Sequence, residues 1–252
     1  GYGFTSNSDC ETVLALWARH GTAVFGELRG MYAAALWDPD SREGVLIRDP
    51  FGIKPLYIAE TADGILFASE IAALRAAIGD TGEPDPVHAA CIIDRQYAPD
   101  DLPPFAGIRR VAPGETLIIR DGRIAGTSGD RPLDDRDHAG AAAEFPARLH
   151  DSVEAHLMAD VPLGLFFSGG VDSSAILAAL ADLRARDGHA DPILSYTVRF
   201  DTEADDETDL AASLAADVGA EFIDVPYGRD DFLADAGLCL LYTSDAADDI
   251  PR

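Results

Sequence analysis

Between Leu163 and Leu177 the chain reads LGLFFSGGVDSSAIL. An apolar run stops at Ser168, and two glycines, an acid and two hydroxyls follow before apolar residues resume. Gly169 and Gly170 permit positive φ and a close approach of the backbone to a ligand. A helix that starts here points free N–H groups and the positive end of its dipole into the loop, which favours an anion. Ser168, Ser173 and Ser174 add hydroxyl donors. The Asp172 carboxylate would repel a bare phosphate, but it becomes useful where Mg²⁺ bridges it to phosphate oxygens. The pattern is not GxxxxGK[ST], and the loop has no lysine. An ordinary capped strand–helix turn would explain a lone GG pair, so the full SGGVDSS string carries the ligand reading.

Such a loop needs a strand before it and a helix after it. VPLGLFF reads as the strand and SSAILAALADLRARDG as the helix. PILSYTVRF (strand), ETDLAASLAADVG (helix) and EFIDVPY (strand) continue the alternation. The expected product is a parallel sheet covered by helices, with right-handed crossovers. Ligands of such sheets sit at the carboxyl ends of the strands, where this loop falls. Upstream, AAAEFPARLHDSVEAHLM spaces Phe145, Leu149, Val153 and Leu157 four apart, which marks one face of a helix. The polar stretch GTSGDRPLDDRDHAG, Gly126 to Gly140, is the linker candidate.

The first part of the chain mixes strands and short helices. CETVLALWARHG, with apolar Val13, Leu14, Leu16 and Trp17, reads as a helix ended by Gly21, and Asp9 just before it is a candidate N-cap. MYAAALWD and EGVLIRD read as strands around the turn PDSR. PLYIAETADGILFASE reads as a hairpin about Asp63–Gly64, and ETLIIRDGRIAG as one turning at Asp121–Gly122. EIAALRAAIG reads as a short helix closed by Gly79. Arg48, Asp49, Lys54 and Tyr57 of RDPFGIKPLY could suggest a second phosphate site, but a strand end, a turn and a packing edge is the preferred reading. The histidines at 20, 88, 138, 150, 156 and 189 show no metal or triad spacing and read as surface or cap residues.

With 252 residues, 47% of them apolar, the chain suffices for one large or two modest domains with a real core. Its 45 acids against 19 bases give a net charge of −26, a field that repels nucleic acid and anionic membranes. No stretch approaches the roughly 18 unbroken apolar residues of a membrane span. Cys10, Cys91 and Cys239 lack metal-like spacing, and so odd and sparse a set suits a reducing cytoplasm.

SGGVDSS resembles the pyrophosphate-binding loop of the ATP pyrophosphatases, which activate a carboxylate or carbonyl as an adenylate. The context LMADVPLGLFFSGGVDSSAILAAL and the later SYTVRFDTEADDETDLAASLAADVGAEFIDV are similar to the asparagine synthetase branch. SDCETVL, LRGMYAAALWD, RDPFGIKPLYI and LFASEIAAL resemble successive blocks of the glutaminase domain of glutamine-dependent asparagine synthetases. The resemblance covers about residues 1–235. It implies a mixed α/β and α+β chain. A partial N-terminal-nucleophile αββα sandwich would be followed by the start of a parallel-sheet, adenine-nucleotide α-hydrolase-like domain. It further implies ATP and Mg²⁺ as cofactors, with glutamine and aspartate as substrates, and it admits a homodimer. The backbone around Phe167 and Val198 would line the adenine pocket; Ser168, Gly169, Gly170, Asp172, Ser173 and Ser174 would hold pyrophosphate, with Asp172 on the metal. Asp9 would bind the α-amino group of glutamine, a pairing a carboxylate makes well in a partly closed site. Cys10 stands where the family usually has Thr and is expected as a buried, inert thiol.

The family's glutaminase nucleophile is a cysteine at the mature N-terminus whose own amine acts as base. This chain starts at Gly1 and Cys10 is internal, so no catalytic residue is assigned. The expectation is a fragment that holds part of each site and is inactive in both reactions. Its divisions are a partial glutaminase domain over 1–125, a linker over 126–140 and a partial synthetase domain over 141–238. CLLYTSDAADDIPR, 239–252, is expected as a non-family tail resembling translated adapter. Three functions stay open: glutamine-dependent asparagine synthesis, amidation or β-lactam closure on another carboxylate, and a non-catalytic nucleotide-binding homologue.

Overall fold

The computed structural model describes residues 3–6, 8–79, 83–99, 101–129, 137–188, 191–200 and 208–241. The chain divides into two compact units between Leu133 and Asp134.

In the first unit, α1 spans Asp9–His20. Its N-cap is Ser8 rather than Asp9: Ser8 Oγ accepts from the Cys10 N–H at 3.3 Å. Asp9 therefore stands inside the first turn, where a carboxylate suits the helix dipole. Gly21, at φ 66°, ends the helix as expected and opens a 3₁₀ turn, Gly21–Glu27. β1 (Ala33–Asp38) and β2 (Glu43–Arg48) pair antiparallel around the PDSR turn. β3 (Tyr57–Thr61) and β4 (Gly64–Ala68) form the second hairpin. Because Thr61 pairs with Gly64, its turn is Ala62–Asp63, with Gly64 already in the strand. α2 (Ile71–Ile78) ends at Gly79. α3 (Pro86–Arg95) has no counterpart among the sequence-based expectations. After β5 (Ile108–Arg110), β6 (Thr116–Arg120) and β7 (Arg123–Ser128) turn at Asp121–Gly122, φ 47° and 74°, the positive pair that a two-residue hairpin of this twist requires.

The strands make two antiparallel sheets, ordered β1-β2-β6-β7 and β4-β3-β5. The alternation of β2 sets the layers. Leu46 packs with Leu56, Ile58, Val111 and Leu117 between the sheets. Its neighbours Val45 and Ile47 point the other way, onto Val24 and Phe25 of the 3₁₀ turn and Val13 and Leu16 of α1. Behind the second sheet, Ala59 and Ile108 pack on Leu74 of α2. The order is helix, sheet, sheet, helix.

In the second unit, α4 (His138–Ala155) starts inside the stretch read as linker, because Asp137 Oδ1 caps it through the Gly140 N–H at 2.7 Å. It also ends three residues before the expected Met158. There follow β8 (Gly164–Phe166), α5 (Val171–Asp187), β9 (Leu194–Phe200), α6 (Thr208–Asp217), β10 (Glu221–Tyr227) and α7 (Arg229–Leu241). The strands form a parallel sheet ordered β8-β9-β10, as the strand–helix alternation predicts. Phe167, Leu177, Ile193, Ala211 and Ala215 form its core with α5 and α6. Among the described residues no helix is long and apolar enough to cross a membrane.

Candidate functional site

β8 delivers the chain to Ser168 at the carboxyl end of the parallel sheet, and α5 leaves from Val171, two residues earlier than expected. Asp172 and Ser173 thus belong to the first helical turn, with Gly170 as N-cap. The two glycines differ. Gly169 has φ 75°, but Gly170 is extended, at φ −70° and ψ 167°. A Cβ on Gly169 would lie 3.2 Å from Ala211 N and 3.3 Å from Ala211 Cα. The expectation that both glycines serve the ligand through positive φ is corrected: Gly169 is demanded by α6 packing against the loop, and Gly170 has an ordinary backbone.

The hydroxyls hold the loop's own backbone. Ser168 Oγ accepts from the Gly170 N–H at 3.3 Å and lies 3.1 Å from Ser173 Oγ. Ser173 Oγ donates to the Gly170 carbonyl at 3.2 Å, and Ser174 Oγ to the Gly169 carbonyl at 3.4 Å. Asp172 is exposed and makes no hydrogen bond or ion pair among the described residues. No group of three His, Cys, Asp or Glu side chains gathers for a metal among those residues. That donor set fits Mg²⁺ bound by one carboxylate, with phosphate and water completing the shell, and does not fit an all-protein cage.

Phe167 is buried in the core, 1% exposed. Its N–H donates to the Tyr196 carbonyl at 2.8 Å and its carbonyl accepts the Thr197 hydroxyl. Its part is therefore packing, with its main chain engaged. Val198, 42% exposed, stands on β9 two residues past the last β8–β9 pair, Phe166 with Tyr196. Sequence reasoning passed over Thr197. The available signal is the alternation in LSYTVRF, which puts Ser195 and Thr197 on one face of a strand expected to be covered; both are buried and hydrogen-bonded.

In the first unit, Asp9 lines a cleft of about 730 Å³ with Cys10, Met31, Ser69 and Lys54, the one lysine of the chain. Cys10 is exposed, which corrects the expectation of a buried thiol: it lies on the solvent side of the first turn of α1. Glu11, not singled out beforehand, ties the preceding segment to α1. Its carboxylate accepts from the Thr5 and Ser6 N–H groups at 2.8 and 2.7 Å and from both hydroxyls. The Ser6 hydroxyl and then the Thr5 N–H hold its pKa down to about 2. The RDPFGIK turn is built around buried charges. Arg48 donates to the carbonyls of Lys54, Val111 and Gly52 at 2.8, 2.6 and 2.6 Å. Asp49, fully buried, accepts from the N–H groups of Phe51, Ile53 and Lys54. This matches the strand-end and packing-edge reading, since both charges are spent on the protein's own backbone.

Residues 1–128 match the family model described as glutamine amidotransferase domain, and residues 144–246 match the model described as asparagine synthase. That second match runs past residue 239, where a non-family tail is expected, and 242–252 lie outside the described residues. The chain is 36% identical over 245 residues to a putative glutamine-hydrolyzing asparagine synthetase of Mycobacterium bovis, covering 93% of this chain and 37% of that protein. It is 32% identical over 238 residues to glutamine-hydrolyzing asparagine synthetase 1 of Bacillus subtilis, covering 92% and 36%. It is 29% identical over 240 residues to Amidase chry2 of Gibberella zeae, covering 87% and 35%. It thus spans little more than a third of the length of these relatives. With an amidotransferase match over the first half and an asparagine synthase match over the second, the chain belongs to the glutamine-hydrolysing asparagine synthetase family.

Proposed function

We propose that this chain serves an ATP-dependent carbon–nitrogen ligase that makes asparagine. Glutamine gives ammonia in the first unit. In the second, ATP converts the aspartate β-carboxylate to an adenylate with release of pyrophosphate, and ammonia displaces AMP. What supports this is the SGGVDSS loop at the helix-capped carboxyl end of a parallel sheet, behind an amidotransferase domain in the same chain.

In this reading the α5 N–H groups, Gly169, Gly170, Ser168, Ser173 and Ser174 cradle the pyrophosphate. Asp172 holds Mg²⁺, which supplies charge neutralisation at the departing pyrophosphate. Val198 contributes its main chain to the adenine pocket over the packed Phe167. Asp9 pairs with the glutamine ammonium at the cleft beside α1. The same proposal assigns the helix–sheet–sheet–helix unit to the N-terminal-nucleophile class and the parallel sheet to the adenine-nucleotide α-hydrolase-like class. It includes two domains joined by a linker, a cytoplasmic location, which the sparse cysteines favour, and a homodimer.

The test is calorimetric titration of Mg·ATP into the full chain and its Asp172→Ala variant. Binding by the parent, weakened at least tenfold by the substitution, supports the reading. No binding by the parent, or equal binding by both, counts against it. A second reading, amidation of another carboxylate, draws on the likeness to a protein named as an amidase. In a protein of the relatives' full length, pyrophosphate release stimulated by aspartate favours the first reading, release stimulated only by a different carboxylate favours the second, and binding without release marks a non-catalytic homologue.

A further inference from the structure

We infer that Thr197 is a positioning residue that keeps the Val198 main chain free to read the base of a nucleotide, an inference that rests on the nucleotide reading of the SGGVDSS loop. The Phe167 N–H donates to the Tyr196 carbonyl at 2.8 Å, so the Tyr196 main chain faces β8. By the two-residue repeat of a strand, the Val198 N–H and C=O face the same side. In a continued parallel ladder the next bond would run from the Val198 N–H to the Phe167 carbonyl. That bond is not formed. Pairing of β8 with β9 stops at Phe166 and Tyr196, and the Phe167 carbonyl takes the Thr197 hydroxyl instead. Thr197 is 7% exposed, so its hydroxyl lacks water and must find a protein acceptor. One side-chain bond thereby ends the ladder a step early.

The consequence lies at the carboxyl edge, beside the loop. The Val198 donor and acceptor project together past the end of β8, with no partner among the described residues. A donor next to an acceptor complements a base edge that carries a ring-nitrogen acceptor next to an amino donor, as adenine does. A 6-oxopurine presents the opposite order and leaves both groups mismatched, which is the kind of difference that gives large discrimination. Without the Thr197 hydroxyl, the Phe167 carbonyl competes for the Val198 N–H. The side chain never touches the base, yet it decides whether the base-reading pair exists.

The experiment is amide hydrogen exchange by NMR on the full chain and its Thr197→Val and Thr197→Ser variants, with ATP and inosine triphosphate affinities measured on each. Far-UV circular dichroism checks that every variant folds. The expected Val198 amide exchanges freely in the parent and in Thr197→Ser, and at least tenfold more slowly in Thr197→Val. The preference for ATP over inosine triphosphate falls at least fivefold in Thr197→Val and returns in Thr197→Ser. A protected Val198 amide in the nucleotide-free parent overturns the inference with no variant needed. So does an exchange rate, or a nucleotide preference, that is the same in Thr197→Val as in the parent. Failure of the parent to bind either nucleotide overturns the nucleotide reading, and is separable because the exchange comparison needs no ligand.

Discussion

The Glu11 carboxylate collects four donors from two residues of the segment before α1, an arrangement available only to its charged form. Its folded pKa, about 2, lies below the ordinary 4.5. The tether is therefore complete above 4.5 and is lost as the pH falls from 4.5 through about 2. A carboxyl NMR titration should place the Glu11 midpoint near 2, and a midpoint near 4.5 would show that Thr5 and Ser6 are not held. The two loop glycines give a second contrast. Gly169→Ala puts an L-residue in the left-handed region, at about 1–2 kcal/mol, and crowds Ala211 as well. Gly170→Ala meets only Ser168 Oγ, at 3.3 Å, from an extended backbone. Urea denaturation of the second unit should show a clear loss for the first variant and at most about 0.5 kcal/mol for the second. The identical letters of the GG pair do not distinguish them; the position of α6 does.

At the scale of elements, the turn after β2 stands on Asp49. Asp49→Ala removes the charged acceptor of the Phe51, Ile53 and Lys54 N–H groups, hydrogen bonds each worth about 1.5–3 kcal/mol. Urea denaturation followed in the first unit should show a loss of at least about 3 kcal/mol, and a smaller change would mean that water replaces the carboxylate. In the second unit, His150 joins α4 to α5. Its Nδ1 lies 2.8 Å from the Pro146 carbonyl and its Nε2 3.3 Å from Asp182 Oδ2, so both neighbours are acceptors. The Pro146 carbonyl, then Asp182, raise its pKa above 6.5 against desolvation and, less, the charge of Arg186, which itself pairs with Glu154 across the same helices. A raised folded pKa makes this contribution complete below 6.5 and lost as the pH climbs through the folded value. The His150 ring should titrate above 6.5 by NMR, and His150→Ala should flatten that pH dependence of stability. Element legibility followed apolar spacing. α4 was readable from Phe145, Leu149, Val153 and Leu157 although it has no fully buried residue. α3, likewise without one, is marked by its Asp85 cap and Pro86.

The whole molecule is governed by its charge. A net charge of −26 opposes nonspecific association at neutral pH, while Met158, Ile93, Val171 and Phe166 stand largely in solvent. That protection disappears near the isoelectric point of about 4.3, where light scattering should reveal association that reverses on return to pH 8. Persistence of monodisperse chains through pH 4.3 would show that the apolar side chains do not drive contact. By itself the amino-acid order determined the strand–helix alternation, the parallel sheet, the glycine- and serine-rich loop between them, the Asp121–Gly122 turn and the family. These rest on residue spacing along one strand, helix or turn, which neighbours in sequence settle. Only the tertiary structure decided that Ser8 and not Asp9 caps α1, that Gly169 yields to Ala211, and that the Thr197 hydroxyl bonds to the Phe167 carbonyl. The last two depend on atoms brought together from distant parts of the chain by packing. Ser8 wins the cap because the backbone entering α1 is extended at that residue.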